Sequence, residues 1–190
     1  MIRRKTAPRT KAGIETAVAA AAFRLLASRP WREVTIASVA RAAKLPLADV
    51  LSHAPSRTDL VAMMLHGMAA ETARRYRPEP RQQSVRERLF DVVMTWFEVQ
   101  KPRKKAVRNL FRALGKDPLI VLSLRGEILR GSQMLLALAE ADGGRVPSFR
   151  AVSLAAVIAR AVPVWLEEEG EPDRTMAQVD RDLRRLERLL

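Results

Sequence analysis

Apolar residues recur three and four positions apart along most of this chain, which is the period of a helix with one buried face. In the first such segment Ile14, Val18 and Ala22 are followed by Leu25 and Leu26. The sequence lacks alternating apolar and polar runs, and no Asn-Gly or Asp-Gly turn joins two β-branched runs. It therefore predicts an all-α protein of about nine helices.

Prolines and capping residues divide this pattern into separate helices. Pro30 ends the first helix because proline lacks a backbone N–H and disfavours helical angles in the residue before it. Thr35 is a good N-cap, Pro46 suits a first helical turn, and Ser56 with Asp59 forms a capping box. The predicted helices span about 13–28, 36–43, 46–54, 56–76, 84–101, 103–114, 117–141, 148–168 and 172–190.

Charge is distributed unevenly along the chain. The 34 Lys and Arg against 21 Asp and Glu give a net charge of +13. Residues 1–60 carry 11 basic and 4 acidic side chains and residues 61–115 carry 12 and 5, whereas residues 116–190 carry 11 and 12. A basic first part and a near-neutral last part indicate an anionic polymer or surface as partner of the first part.

The chemistry of known enzyme sites is nearly absent from the sequence. There is no cysteine, and the two histidines, His53 and His66, are not spaced as metal ligands. The acidic run 167–169 at a predicted helix end is most simply a solvated terminus. No uncharged apolar stretch approaches the roughly 18 residues of a membrane span, and the best candidate, 60–70, contains His66 and Gly67. We expect a cytoplasmic protein that is not an enzyme and has no metal, cofactor or membrane span.

Three short helices at the basic end have the arrangement of a helix-turn-helix unit, in which helix 46–54 enters the major groove of DNA. Residues 13–60 resemble the DNA-binding domain of the TetR family of transcriptional regulators. The residues that carry the resemblance are Trp31, Thr35, Ile36, Val39, Ala40, Ala43, Leu45, Val50, His53, Ser56, Arg57, Asp59 and Leu60.

The resemblance implies three segments. These are a flexible basic arm at 1–12, a helix-turn-helix DNA-binding domain at 13–56, and a helical ligand-binding and dimerisation domain at 57–190. The implied function is that of a ligand-responsive transcriptional regulator, a repressor, that binds a palindromic operator in double-stranded DNA as a homodimer. Whether ligand releases or recruits DNA stays open, as does the identity of a small apolar effector.

Candidate DNA contacts follow from the same alignment of motifs. Arg9 and Lys11 would reach the minor groove, and Thr35, Lys44 and Arg57 would contact phosphates. Asp49, Ser52 and His53 would read base edges, although capping and packing are alternative roles for several of them. The chain departs from the family pattern at Lys44, Pro46, Leu47, Leu51 and Ala54, where the family usually has glycine, serine, lysine and an aromatic pair. These changes remove contacts that position a protein on the DNA backbone.

The second domain carries candidate ligand and dimer surfaces. A ligand pocket would be lined by Met64, Met68, Trp96, Phe97, Phe111 and Met134. Dimerisation through the last two helices would use Val157, Ala161, Trp165, Met176, Val179, Leu183 and Leu186. The alternative for both groups is an ordinary intramolecular core.

A second function remains open from the sequence. Residues 164–181 are also similar to part of a ubiquinone-biosynthesis accessory protein, which has a TetR-like fold, binds lipid and does not read DNA. Such a protein has no need of a strongly basic first part, so the charge favours a DNA-binding regulator. A protein that binds a membrane surface could use the same charge.

Overall fold

The protein is all-helical, as the sequence predicts. The structure, a computed structural model, describes residues 10–78, 84–143 and 147–187, and these contain nine α-helices and no strand. The helices are α1 (Lys11–Ser28), α2 (Ile36–Ala43), α3 (Leu47–His53), α4 (Arg57–Arg75), α5 (Val85–Gln100), α6 (Lys104–Leu114), α7 (Pro118–Leu138), α8 (Pro147–Glu167) and α9 (Asp173–Glu187), with 3-10 turns at Trp31–Glu33 and Lys101–Arg103.

Local hydrogen bonds fix where most helices begin. The side chains of Thr35, Ser56 and Ser84 each accept from a backbone N–H three residues on, and all three belong to capping boxes. Asp117 accepts from the Ile120 N–H at the start of α7 in the same way. These groups satisfy N–H donors that have no partner inside the helix.

Two predicted boundaries at the basic end are wrong by one or two residues. Helix α1 begins at Lys11 and not at 13, because Thr10 caps it by accepting from Gly13 N at 3.2 Å. Lys11 therefore belongs to α1 and not to an arm. Helix α3 begins after Pro46, which has extended angles and is the N-cap.

Helix α4 connects the two parts of the molecule. It packs against α1 on the side of the helix-turn-helix unit and against α5 and α7 on the other side. Its residues Leu60, Val61 and Met64 are fully buried. The core therefore continues from the first part into the helical bundle formed by α5 to α9.

Helix α6 binds the C-terminal ends of two other helices. Asn109 donates to the Leu26 carbonyl of α1 at 2.7 Å, and Arg108 donates to the Leu166 carbonyl of α8. Both carbonyls lie in a last helical turn, where no N–H of the same helix is available. Lys104 lies 5.2 Å from the centroid of the Trp165 ring, and burial and then the charge of Arg108 lower the pKa of its amine. Helix α6 thus links the end of α1 to the end of α8.

The acidic run after α8 is only partly the solvated terminus that the sequence predicts. Glu167 and Glu169 are exposed, but Glu168 is buried. Its carboxylate accepts from Arg174 N at 2.6 Å, from Thr175 N at 3.1 Å and from Thr175 Oγ1 at 2.6 Å. Glu168 therefore caps the N-terminus of α9.

Helix α8 is the most apolar of the long helices by mean hydropathy over 18 residues. The segment Phe149–Glu167 of α8 has a mean hydropathy of 1.6 and meets the length and composition of a membrane-crossing helix. In this fold it packs against α7 and α9. The segment contains Arg150 and Arg160, so it is not an uncharged stretch, and the absence of a membrane span stays a prediction.

Candidate nucleic-acid interface

A three-residue turn joins α2 to α3. Lys44 ends α2 with φ 56° and ψ 42°, which is the left-handed region. Its N–H and that of Leu45 donate back to the last turn of α2, and the Leu45 side chain is buried. A side chain at this angle is strained by about 1 kcal/mol relative to glycine. Lysine at position 44, where the family usually has glycine, therefore keeps the shape of the turn but lowers the stability of the protein.

Helix α3 has one buried face and one exposed face. Val50 is fully buried, as is Ala54 just after the helix. Leu47 and Leu51 lie one turn apart and are 44% and 41% exposed. The residues that replace the family's backbone contacts are therefore a pair of solvent-exposed leucines.

The polar candidates on α3 are bonded within their own helix. Ser52 Oγ donates to the Asp49 carbonyl at 2.8 Å and lies 2.9 Å from His53 Nδ1. His53 Nδ1 lies 2.9 Å from the same carbonyl. The structure brings all three candidates together, with Asp49 and Ser52 exposed. A base contact by Ser52 or His53 would have to compete with these bonds.

The remaining candidates at the basic end occupy different positions. Thr35 is exposed, and its hydroxyl oxygen serves as the cap of α2. Lys11 is exposed at the start of α1, with its Nζ 3.9 Å from a carboxylate oxygen of Glu15. Arg9 lies outside the described residues. The structure thus keeps Thr35 and Lys11 accessible.

Arg57, a predicted phosphate contact, packs against Trp31. Its guanidinium lies 4.3 Å from the centroid of the Trp31 ring and donates to the Trp31 carbonyl. Burial lowers the pKa of this guanidinium. A phosphate contact by half-buried Arg57 would have to compete with this cation–π contact and hydrogen bond, and it stays a prediction.

Much of the charge at the basic end lies before the described residues. Between 10 and 60 there are seven basic and four acidic side chains, a net +3, whereas residues 1–9 hold four more basic ones. Arg29, Arg32 and Arg41 are exposed. Sequence analysis did not select these three as DNA contacts, since nothing in their spacing distinguishes them from a solvated face.

The predicted ligand-lining residues lie mainly in the core. Met64, Met68, Trp96 and Phe97 are buried, Met134 is half-buried and Phe111 is 36% exposed. The Phe97 ring is 5.0 Å from that of Trp96 and 5.4 Å from that of Trp165. These contacts fit a packed aromatic cluster. A ligand role for the six residues stays a prediction.

Two cavities formed by described residues involve none of those six. A groove of about 610 Å³ is formed mainly by α1 and α4, and its lining includes Phe23, His53, Asp59 and His66. A smaller cavity of about 270 Å³ lies among α5, α7, α8 and α9. It is lined by Val85, Arg86, Leu89, Leu136, Ala141, Arg150, Leu183, Leu186 and Glu187. Sequence analysis missed both because their walls come from helices that are distant in the chain.

Gln100 is a further site that the sequence did not reveal. Its side chain is fully buried at the end of α5, and neither its amide oxygen nor its nitrogen has a partner among the described residues. A buried amide without partners is costly. Gln100 is therefore available for a polar group that enters the bundle.

Six of the seven predicted dimerisation residues lie in the interior of the subunit. Val157, Ala161, Trp165, Val179, Leu183 and Leu186 are buried within one subunit, because the apolar stripes of α8 and α9 face the interior of the same chain. Met176 alone among the seven is exposed. The burial of the other six fits the alternative of an intramolecular core, and a role of the seven residues in dimerisation stays a prediction.

The fold can now be compared with those of known proteins. No protein-family model matches the chain, and no curated protein is significantly similar in sequence. A TetR transcriptional regulator from Nitrosomonas europaea superposes with a TM-score of 0.67 at 16% identity, covering 90% of this chain and 97% of the other. A TetR transcriptional regulator from Rhodococcus sp. RHA1 gives 0.64 at 14% identity, covering 93% and 96%.

A third solved structure is the TetR-family repressor AlkX from Dietzia sp., implicated in biodegradation of n-alkanes. It gives a TM-score of 0.54 at 19% identity, covering 96% of this chain and 98% of the other. The architecture is a helix-turn-helix unit attached to a helical bundle. The fold is that of the TetR family of transcriptional regulators, and the resemblance seen in residues 13–60 is confirmed at the level of the fold.

Proposed function

We propose that this protein is a DNA-binding transcriptional regulator, acting as a ligand-responsive repressor and as a homodimer on a palindromic operator. The observation that carries the proposal is the α2–turn–α3 unit, in which buried Leu45 and Val50 hold α3 against the core while its other face stays exposed. A helix presented in this way fits the major groove. The basic side chains around it favour a polyanion.

A second copy of the chain is the proposed partner of α8. Its outward face carries Phe149, Val152, Ala156, Ala159 and Pro163, all exposed and spaced alternately by three and four residues. This is the spacing of a helix–helix seam, and the small residues allow close approach. Met176 of α9, another predicted dimer contact, is also exposed. A symmetric pair of such faces would form the four-helix contact of a dimer.

The proposed response to ligand runs through α4, which packs on both α1 and the bundle. A ligand can shift the position of α3 only if it binds one arrangement of these helices more tightly than another. Gln100 is our candidate for its polar contact because the buried amide has unmet hydrogen-bonding capacity.

The proposal is tested by titrating salt in binding assays with two labelled duplexes. One comes from the region upstream of the protein's own gene, and the other is a scramble of the same length and composition. A regulator should bind the first at least about 1000-fold more tightly at physiological salt. Equal, weak and steeply salt-dependent binding to both would show that only charge acts and would contradict the proposal.

The second candidate is a lipid-binding protein with the same fold. It is favoured by the exposed leucines of α3, which replace a cation and an aromatic residue of the family pattern. Binding to anionic lipid vesicles, together with failure to discriminate the two duplexes, would support this candidate.

A further inference from the structure

The exposed face of α3 carries a pair of leucines beside the polar side chains of Asp49 and Ser52. Leu47 and Leu51 lie one helical turn apart and are both exposed, and Ala48 beside Leu47 is exposed as well. These two leucines leave apolar surface exposed to water on a helix of only seven residues. Burial of that surface in a contact would be favourable. The pair therefore has the character of a contact surface.

Helix α3 also lacks the side chains that read guanine. Its sequence, Leu-Ala-Asp-Val-Leu-Ser-His, contains neither arginine nor lysine, the residues that bond bidentately to guanine O6 and N7. The Ser52 and His53 side chains are bonded to the carbonyl of Asp49. In the major groove the one apolar group that a base presents is the 5-methyl group of thymine.

We propose that Leu47 and Leu51 recognise the methyl groups of thymines in each half of the operator. The inference rests on the proposed function and adds to it the chemistry by which this helix selects a sequence. Side chains four residues apart on a helix are about 5–6 Å apart. Bases of one strand are spaced about 3.4 Å apart, so the two methyl groups would lie within about two base-pair steps.

A membrane surface fits the same two leucines less well. A helix that lies in a lipid interface needs a long apolar face with basic residues on the opposite side. Helix α3 has seven residues and no Lys or Arg, and its Val50 is buried in the protein core. The short exposed pair therefore matches the width of a groove better than a lipid interface.

The test uses the full chain and a duplex selected from a random library for tightest binding. Each thymine of one half-site is replaced in turn by deoxyuridine, which removes the methyl group and keeps the base pair. We expect about fourfold weaker binding at each of two positions, which corresponds to the loss of one buried carbon group. Replacement of thymines outside the half-sites is the control.

Two variants connect the methyl groups to the leucines. With Leu47→Ala the effect of deoxyuridine should disappear at one of the two positions, and with Leu51→Ala at the other. The slope of affinity against salt should stay unchanged, since no phosphate contact is altered. Val85→Ala, which truncates a similarly exposed apolar residue on α5, should keep both effects. Circular dichroism verifies that each variant is folded.

The outcomes separate the inference from the function. Specific binding with equal affinity for thymine and deoxyuridine at every position overturns the inference and leaves the proposed function intact. Deoxyuridine effects that persist in both leucine variants also overturn it. Failure to select any preferred sequence overturns the proposed function. In that case leucine-dependent binding to vesicles of phosphatidylcholine and phosphatidylglycerol would identify α3 as a lipid contact.

Discussion

The guanidinium of Arg57 stacks over the ring of Trp31 at 4.3 Å from its centroid and donates a hydrogen bond to the Trp31 carbonyl. The pair joins the first residue of α4 to the 3-10 turn after α1. A cation at a helix N-terminus is repelled by the positive end of the helix dipole. The contact with Trp31 offsets this unfavourable interaction. It also fixes the direction in which α4 leaves the helix-turn-helix unit.

Removal of this contact should destabilise the protein without changing its contacts to DNA phosphates. Arg57→Ala is expected to lower the free energy of unfolding by about 1–2 kcal/mol, measured by urea denaturation. Arg32→Ala, which truncates an arginine 84% exposed in the same region, should change it by less than about 0.5 kcal/mol. The slope of log affinity for DNA against log salt concentration should stay unchanged in Arg57→Ala. A slope that is smaller by about 1 would show that Arg57 contacts a phosphate.

Glycine at position 44 should have opposite effects on stability and DNA binding. Lys44→Gly relieves the left-handed strain and should raise the free energy of unfolding by about 1 kcal/mol. The same substitution removes a cation beside α3. If Lys44 contacts a phosphate, the slope of log affinity for DNA against log salt concentration should therefore become smaller by about 1. Glu140→Gly relieves a similar angle, φ 52°, far from α3 and should stabilise without affecting DNA binding. Destabilisation by Lys44→Gly would contradict the prediction.

The buried carboxylate of Glu168 should make stability depend on pH in the acid range. Burial acts to raise its pKa, but hydrogen bonds from Thr175 and the Arg174 backbone outweigh it, and the net shift is downwards. The folded state thus holds the charged form more strongly than the unfolded state, whose pKa is about 4.3. The stabilisation is complete above that pH and is lost as the pH falls through the folded-state pKa.

The measurement is urea denaturation across pH 2–7 of the native protein and of Glu168→Gln. The free energy of unfolding of the variant should be lower than that of the native protein at neutral pH. The difference between the two free energies should shrink as the pH falls below about 4. Glu169→Gln, an exposed neighbour, is the control and should show no such trend. A difference that is constant with pH would rule out the capping charge as its cause.

A charge on the outward face of α8 should dissociate the proposed dimer. Val152→Glu places two like charges against an apolar partner surface, and we expect the dissociation constant to rise at least about 100-fold. Analytical ultracentrifugation measures it. The matched control is Leu122→Glu, at an exposed leucine of α7. Dissociation by the control and not by Val152→Glu would place the interface on α7 instead.

An apolar side chain at position 100 should stabilise the protein in the absence of effector. Gln100→Met keeps a similar length and removes the unbonded amide, so the free energy of unfolding should rise by about 1–2 kcal/mol. Thermal and urea denaturation measure the change. Gln100→Ala leaves a cavity and should not give the same gain. A loss of stability in Gln100→Met would show that the amide has a hydrogen-bond partner in the folded protein.

The helix boundaries show how far local sequence determines this fold. Thr35, Ser56 and Ser84 form their capping boxes with residues three positions away, so the interactions are complete within one turn. The period of the apolar residues likewise predicts helices wherever the structure has them. The fold class and the helix-turn-helix unit could therefore be derived from the sequence.

The assignment of surfaces required the tertiary structure. Helix α8 is apolar on both faces, so its periodicity does not distinguish Val157, which packs inside the subunit, from Val152, which faces outwards. The residues next to Arg57 in the sequence do not show whether its side chain contacts a phosphate or Trp31. Its contact with Trp31 forms only because the fold brings together two residues that are 26 positions apart. The sequence by itself determined which residues form helices, because capping and periodicity are local. Only the packing of distant segments decided which faces are buried and which remain free to bind.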